Sequence, residues 1–221
     1  MIIYADLHLH STYSDGRGSP FEIVYTAFER GLNAIAITDH DTFAGVNEAQ
    51  RLSVQYGILV VPGIEVRTDH GDILVYCNTI NVNLPRRVDL LLERAHKEGC
   101  LVVPAHPFDI AKLGIGDLIY EYRGWDAIEV WNASSTKGSN YKAIRAAKYL
   151  GKPGLANSDA HLVEEIGSAY NTIEVDDLKV DSVLDSIKRG RVKPFYGMPS
   201  LKTRVNRLAW SIRRSFKKFW Y

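Results

Sequence analysis

An α/β fold with its polar chemistry gathered at one end of a set of strands is what this 221-residue sequence predicts. Three observations lead there. Short β-rich apolar runs alternate with stretches of helical periodicity, the pattern of repeated strand–helix units and a parallel sheet. Most of the apolar runs end in His, Asp or Glu. No internal repeat and no low-complexity linker divides the chain. A βα barrel, whose active site lies at the C-terminal ends of its strands, accommodates these features better than an open sheet does.

The elements follow in order. MIIYADL opens as a strand, and FEIVYTAFERG reads as a helix that starts at Ser19-Pro20 and stops at Gly31. That pairing of an N-cap serine with a proline at the first helical position is a strong start signal. AIAIT is the next strand, and residues 43–56 are again helical. ILVVPGIEV and DILVYC are strands; a helix over 86–98 ends at Gly99 and leads into LVVPAHP. A further helix precedes the strand AIEVW, and residues 140–150 are helical. GLANSD and NTIEV are short strands, and an amphipathic helix covers about 178–189.

Composition sets bounds on this reading. Apolar residues make up 46% and charged residues 24%, the balance of a soluble globular chain large enough to bury its own core. Cys77 and Cys100 lie in apolar runs with no CxxC spacing, so they read as reduced core residues of a cytoplasmic protein. No secretory signal pattern and no membrane-spanning run is apparent. The net charge of +1 conceals an asymmetry: residues 200–221 hold seven Lys or Arg and no acid, which leaves 20 basic against 26 acidic residues in the body.

The chemistry-bearing groups are HLH (8–10), SDG (14–16), TDHD (38–41), GIE (63–65), AHP (105–107) and SDAH (158–161). In a strand, residues i and i+2 share a face, so His8 and His10 project side by side. Imidazole and carboxylate together suit Zn, Mn or Fe. A mixed set of this size, with bridging carboxylates, can serve two or three ions. Such ions lower the pKa of a bound water to about 7 and clamp a transferring phosphoryl group. Taken singly, each motif has a structural use: TDHD can cap a turn, and isolated histidines such as His70 and His96 read as surface or core residues. Their joint occurrence at successive strand ends points to a metal centre. No GxSxG elbow supports a serine triad, and no Walker or GxGxxG loop supports nucleotide-cofactor chemistry.

The order HLHSTYSDG, AIAITDHDTFAG, GIEV, PAHP and NSDAH, from about residue 4 to 197, resembles the PHP (polymerase and histidinol phosphatase) family, most of all its stand-alone metal-dependent phosphoesterases. The resemblance implies a distorted (β/α)7 barrel over residues 1–197, with two or three divalent ions, usually Mn, Zn or Fe, at the C-terminal ends of the strands. Carried over position by position, it implies His8, His10 and Asp159 at a first metal and Glu65 bridging to a second. Asp15, His40 and His161 would hold a third, and His106 the second. Many relatives have a histidine in the strand after the bridging glutamate. This chain reads GDILVY there, so Asp72 takes the place, with His70 a lesser substitute.

Supporting residues have plainer alternatives beside them. Asp39 either orients the neighbouring histidine and accepts a proton from the metal-bound water, or is a turn carboxylate. Arg17 either clamps a phosphate with its planar fork or is a loop arginine. Glu129 either lines the pocket or caps the next segment, and Asn157 either hydrogen-bonds near the site or is structural. The expected function is hydrolysis of a phosphate ester by metal-bound hydroxide, on a small phosphomonoester, a nucleotide or an oligonucleotide end. The alternatives are hydrolysis of a non-phosphate bond and a non-catalytic module that binds a partner or nucleic acid.

Residues 198–221 read as a separate, basic amphipathic helix. Leu201, Val205, Leu208, Ile212, Phe216 and Phe219 form one stripe, with Lys202, Arg204, Arg207, Arg213, Arg214, Lys217 and Lys218 opposite. The stripe could dock on the barrel, lie on an anionic membrane, or accompany basic residues that steer a nucleic acid or other polyanion toward the mouth.

Overall fold

The structure, a computed structural model, describes residues 1–217, with side chains in the last helix described as far as Ile212. Lys218 and Phe219, and the side chains of Arg213, Arg214, Phe216 and Lys217, therefore lie outside the described residues. Ten strands and six α-helices follow one another as β1 (Ile2–Leu9), α1 (Pro20–Glu29), β2 (Ala34–Ile37), α2 (Ala44–Ser53), β3 (Leu59–Val60), β4 (Gly63–Thr68), β5 (Gly71–Tyr76) and α3 (Val88–Lys97). They continue as β6 (Leu101–Pro104), β7 (Ile128–Asn132), α4 (Lys137–Leu150), β8 (Gly154–Asn157), β9 (Tyr170–Glu174), α5 (Val180–Lys188), β10 (Val192–Phe195) and α6 (Leu201–Lys217). Among the described residues no helix is long and apolar enough to cross a membrane.

The α/β class is as expected, but the sheets are mixed. The strands form ladders in the orders β10–β9–β1–β2–β3, β4–β5–β6 and β7–β8. β1, β2 and β3 run parallel, as do β7 and β8, whereas β4–β5–β6 and β1–β9–β10 are antiparallel. The departure has a simple cause. Only Asp69 and His70 separate β4 from β5, and a link of that length can only make a hairpin. Single parallel bridges join the ladders where they come together: Leu9 to Ala160, and His40 to Glu65. One expectation fails outright: where a helix was expected before β7, the segment holds only short 3₁₀ turns, at Ile110–Lys112 and Gly116–Tyr120, and β10 follows α5 in a stretch given no element from the sequence.

The helix signals translate directly. Ser19 Oγ accepts from the Glu22 N–H at 3.3 Å while the Glu22 carboxylate accepts from the Ser19 N–H at 2.8 Å, a closed capping box. The buried side of α1 (Ile23, Val24, Ala27) and of α2 (Val46, Ala49) packs with Ile35 and Ile37 of β2. Across the strands, Ile3, Ala5 and Leu7 of β1 meet Ala36, Leu74, Tyr76, Leu101 and Val103 in a second cluster. The central strands are therefore covered on both sides, and the candidate donors lie at strand ends.

Cys77 and Cys100 are not the reduced pair expected from the sequence: they form a disulfide. Antiparallel pairing explains it. Tyr76 is in register with Leu101, so the next residues out along both strands face each other, with Cα atoms 4.3 Å apart.

Candidate metal centre

β1 delivers the first two histidines. Its register against β2 slips between Asp6 and Leu9, a bulge of the kind that re-aims side chains at functional edges. His8 and His10 bring their Nε2 atoms within 3.2 Å of each other, on one side as the i, i+2 spacing requires. Asp6, just before them, accepts from the N–H groups of Ser158 and Gly167 and so ties β1 to the SDAH loop. The bridge between His40 and Glu65, with the Asp41 N–H bonded to the Glu65 carbonyl at 3.0 Å, fixes those two residues side by side. His106 and Asp159 adopt positive φ, 30° and 50°, a conformation non-glycine residues seldom take outside constrained sites. The Glu129 carboxylate holds the first of these by accepting from the His106 N–H at 2.7 Å.

Glu65 is the hub. Its Oε2 lies 3.3 Å from His8 Nε2, 3.2 Å from His10 Nε2 and 3.3 Å from His40 Nδ1, and its Oε1 lies 3.0 Å from His106 Nε2. Asp159 Oδ1 stands 3.6, 3.3 and 3.4 Å from ring nitrogens of His8, His10 and His161. Asp15 Oδ1 is 3.1 Å from His161 and 3.7 Å from both His10 and His40. All nine predicted ligands fall into four overlapping groups, each with donor atoms within 4.8 Å of one another. They are His10–Asp15–His40–His161, His8–His10–Asp159, His8–Glu65–His106 and His40–Glu65–Asp72. Asp72 thus shares a group with His40 and Glu65 rather than with His106. His70 is outside, exposed and bonded to Tyr122, and His96 pairs with Asp126.

These donors fit a divalent cation. Nδ1 of His10, His40 and His106 and Oδ1 of Asp72 are buried and make no hydrogen bond, an arrangement that costs free energy unless something else takes up the lone pairs. The electrostatics divide the rings. Burial, with the positive His10 nearby, lowers His40 to about 4 and His161 to about 3, so both rings stay neutral. Burial pulls His10 down too, but hydrogen bonds and charge from Asp159 and Glu65 outweigh it and lift the ring to about 9. His8 is raised well above its ordinary value, since the charges of Glu65, Glu129 and Asp159 overcome burial. Burial and the charge of Glu65 together push Asp72 above the usual carboxylate range.

The supporting residues take other positions than the sequence suggested. Asp39 does not reach the pocket. Its carboxylate accepts from the Ser11 N–H (2.7 Å), Ser11 Oγ (2.5 Å) and Ser14 Oγ (2.5 Å), and so it anchors the loop that carries Asp15. Arg17 is exposed and its side chain is not part of the pocket wall; only its backbone N–H is engaged, by the His161 carbonyl. Glu129 lies beneath the cluster and accepts from His8 Nδ1 and from Asn157 Nδ2, both at 2.9 Å. A carboxylate behind a ligating imidazole fixes its tautomer and orientation.

The pocket over these groups has a volume of about 280 Å³ and is walled by His10, Asp15, His40, Glu65, Asp72, His106, Asp159 and His161. Three cations complete it: Arg67 and Lys112, which the sequence gave no reason to single out, and Arg207 from the basic C-terminal segment. Lys112 pairs with Asp159, and Arg207 donates to Glu165 at 2.7 Å and to the Asp159 carbonyl at 3.1 Å. Arg67 comes from β4, but Lys112 sits in a 3₁₀ turn and Arg207 on α6, so tertiary placement alone brings the three together.

A metal-ligand cluster at the strand ends of an α/β fold defines the class of protein, and comparison with known proteins gives the family. A PHP-associated family model matches residues 137–192. An uncharacterised protein of Methanocaldococcus jannaschii is 31% identical over 147 residues, covering 61% of this chain and 84% of that protein. A 5'-3' exoribonuclease of Haemophilus influenzae is 47% identical over 64 residues, 29% of this chain but only 23% of the exoribonuclease. Among solved structures, a two-domain Bacteroides vulgatus protein containing a predicted PHP-like metal-dependent phosphoesterase shares the fold. Its TM-score is 0.76 at 18% identity, over 89% of this chain and 65% of that one. The chain belongs to the PHP family.

Proposed function

We propose that the chain is a metal-dependent phosphoesterase acting on a phosphomonoester, a nucleotide or an oligonucleotide end. The observation that carries this reading is the set of buried lone pairs without hydrogen bonds around Glu65, which open into a pocket rimmed by three cations. Two or three divalent ions, of Mn, Zn or Fe, would be held by His8, His10, Asp15, His40, Glu65, Asp72, His106, Asp159 and His161. Once bound, they supply Lewis acidity toward phosphoryl oxygens and a water acidified to near neutral pH.

The chain's own residues do the rest. Arg67, Lys112 and Arg207 present positive charge to the oxygens of a phosphate, and the guanidiniums offer paired donors that match phosphate geometry. Glu129 keeps His8 Nε2 turned toward Glu65. Asp39, through Ser11 and Ser14, keeps Asp15 at the mouth. Glu65 and Asp159 are buried, so their charges act in a low-dielectric setting and count for more than in water.

The test is phosphate release by the metal-reconstituted chain. Substrates would be an aryl phosphate, histidinol phosphate, nucleoside bisphosphates and a short 5'-phosphorylated oligonucleotide. The expected result is release that chelation stops and His8→Ala abolishes. Turnover of none of them, with metal verified as bound, would overturn the reading.

A further inference from the structure

α6 sits on the body with its amphipathicity inverted. The residues that face the protein are Thr203, Arg207, Trp210 and Ser211. Arg207 is bonded to Glu165, and Trp210 Nε1 points to the Asp15 carbonyl at 3.5 Å. The apolar stripe faces solvent instead: Leu201, Val205, Leu208 and Ile212 are 50–75% exposed. A stripe of that kind, left in water on a helix held in place by its polar side, is an interaction surface. The rim of the metal pocket adds to it, because the turn that contributes Lys112 exposes Ile110 and Leu113 as well.

Charge selects the occupant. Residues 200–221 carry seven Lys or Arg and no acid. A second copy of this chain would bring two such segments together against their mutual repulsion. A nucleic acid would satisfy the basic residues but leave the leucine, valine and isoleucine side chains in water. An anionic bilayer satisfies both, taking the apolar stripe into the acyl boundary while Lys202 and Arg204 reach the headgroups. We propose that α6 is a peripheral docking helix for anionic phospholipid surfaces, and that it sets the mouth of the metal pocket beside the membrane.

Sedimentation of the full chain with vesicles tests this without any turnover, so its outcome is independent of the proposed hydrolysis. The vesicles are phosphatidylcholine alone, or with roughly a third phosphatidylglycerol. The expected result is binding to the anionic vesicles only, weakened by salt. Binding should fall at least about tenfold in Val205→Ser/Ile212→Ser, which keeps the charge, and similarly in Lys202→Glu/Arg204→Glu, with circular dichroism unchanged because all four side chains are exposed. Three results would each overturn it. One is no binding to anionic vesicles. Another is undiminished binding by Val205→Ser/Ile212→Ser, which reduces the attraction to charge alone. The third is a wild-type dimer that this double variant dissolves, which assigns the stripe to a second copy.

Discussion

Glu65 shows how a single carboxylate organises the site. Four imidazoles, of His8, His10, His40 and His106, converge on its two oxygens within 3.3 Å, and across the wider cluster protonation separates two pairs of rings. His40 and His161 are neutral at pH 7 and ready to ligate. His8 and His10 carry protons that the surrounding carboxylates hold in place. A cation needs those lone pairs free, so its binding must expel the protons. The sign follows: apparent metal affinity rises with pH for as long as His8 and His10 hold their extra protons, which His10 does up to about 9. Calorimetric titration of Mn into the metal-free chain in buffers of different ionisation enthalpy should show at least about two protons released per chain at pH 7, from His8 and His10, with a further fraction from Asp72. None released would contradict the ring assignments. At this scale the ligands were legible because HxH, TDHD and SDAH are local patterns. Arg67 and Lys112 were not, since each lies in an unremarkable stretch and only folding brings it to the pocket; Arg207 stood out as part of the basic C-terminal segment, but not for its contact with Glu165 beside the site. Arg17 was singled out for its place after SDG as either a phosphate clamp or a loop arginine, and it is exposed and not part of the pocket wall.

Elements place these residues, and small contacts decide how well. The loop bearing Asp15 is tied down by Asp39, and α2 approaches so closely that Gly45 has no room for a side chain. A Cβ there would stand 2.5 Å from Asp39 Oδ2 and 2.8 Å from Ser11 Oγ. Gly45→Ala should therefore cost about 1–3 kcal/mol in chemical denaturation and weaken metal binding through the displaced loop. A stable variant with unchanged affinity would show that the Asp39 anchor does not matter to Asp15. The disulfide makes a second test at this scale. It joins β5 to β6 across a separation of 23 residues, a loop whose closure is worth about 3 kcal/mol. Cys100→Ala should lower stability by that order under oxidising conditions, and wild type and variant should converge in reductant. Helix starts were readable from caps such as Ser19-Pro20-x-Glu22. The antiparallel β4–β5–β6 ladder was less so, because a two-residue link between apolar runs carries little weight against a prevailing strand–helix rhythm. The cysteine pairing depends on register, which composition does not reveal.

For the whole molecule, the account joins three ladders, one cluster of donors and a C-terminal helix on the rim. The gathering of polar residues at strand ends was visible in the sequence. The orientation of α6 was not, because an amphipathic stripe predicts burial and here the polar side of the helix is the one that packs. The central claim is that the donors around Glu65 form a metal-dependent hydrolytic centre. The measurement that tests it most directly is phosphate release by Glu65→Gln beside wild type, both loaded with Mn and analysed for bound metal. Gln keeps the shape of the side chain but cannot supply the shared charge. The account predicts loss of bound metal and a fall in turnover of about 100-fold or more. Metal content and turnover equal to wild type would contradict it.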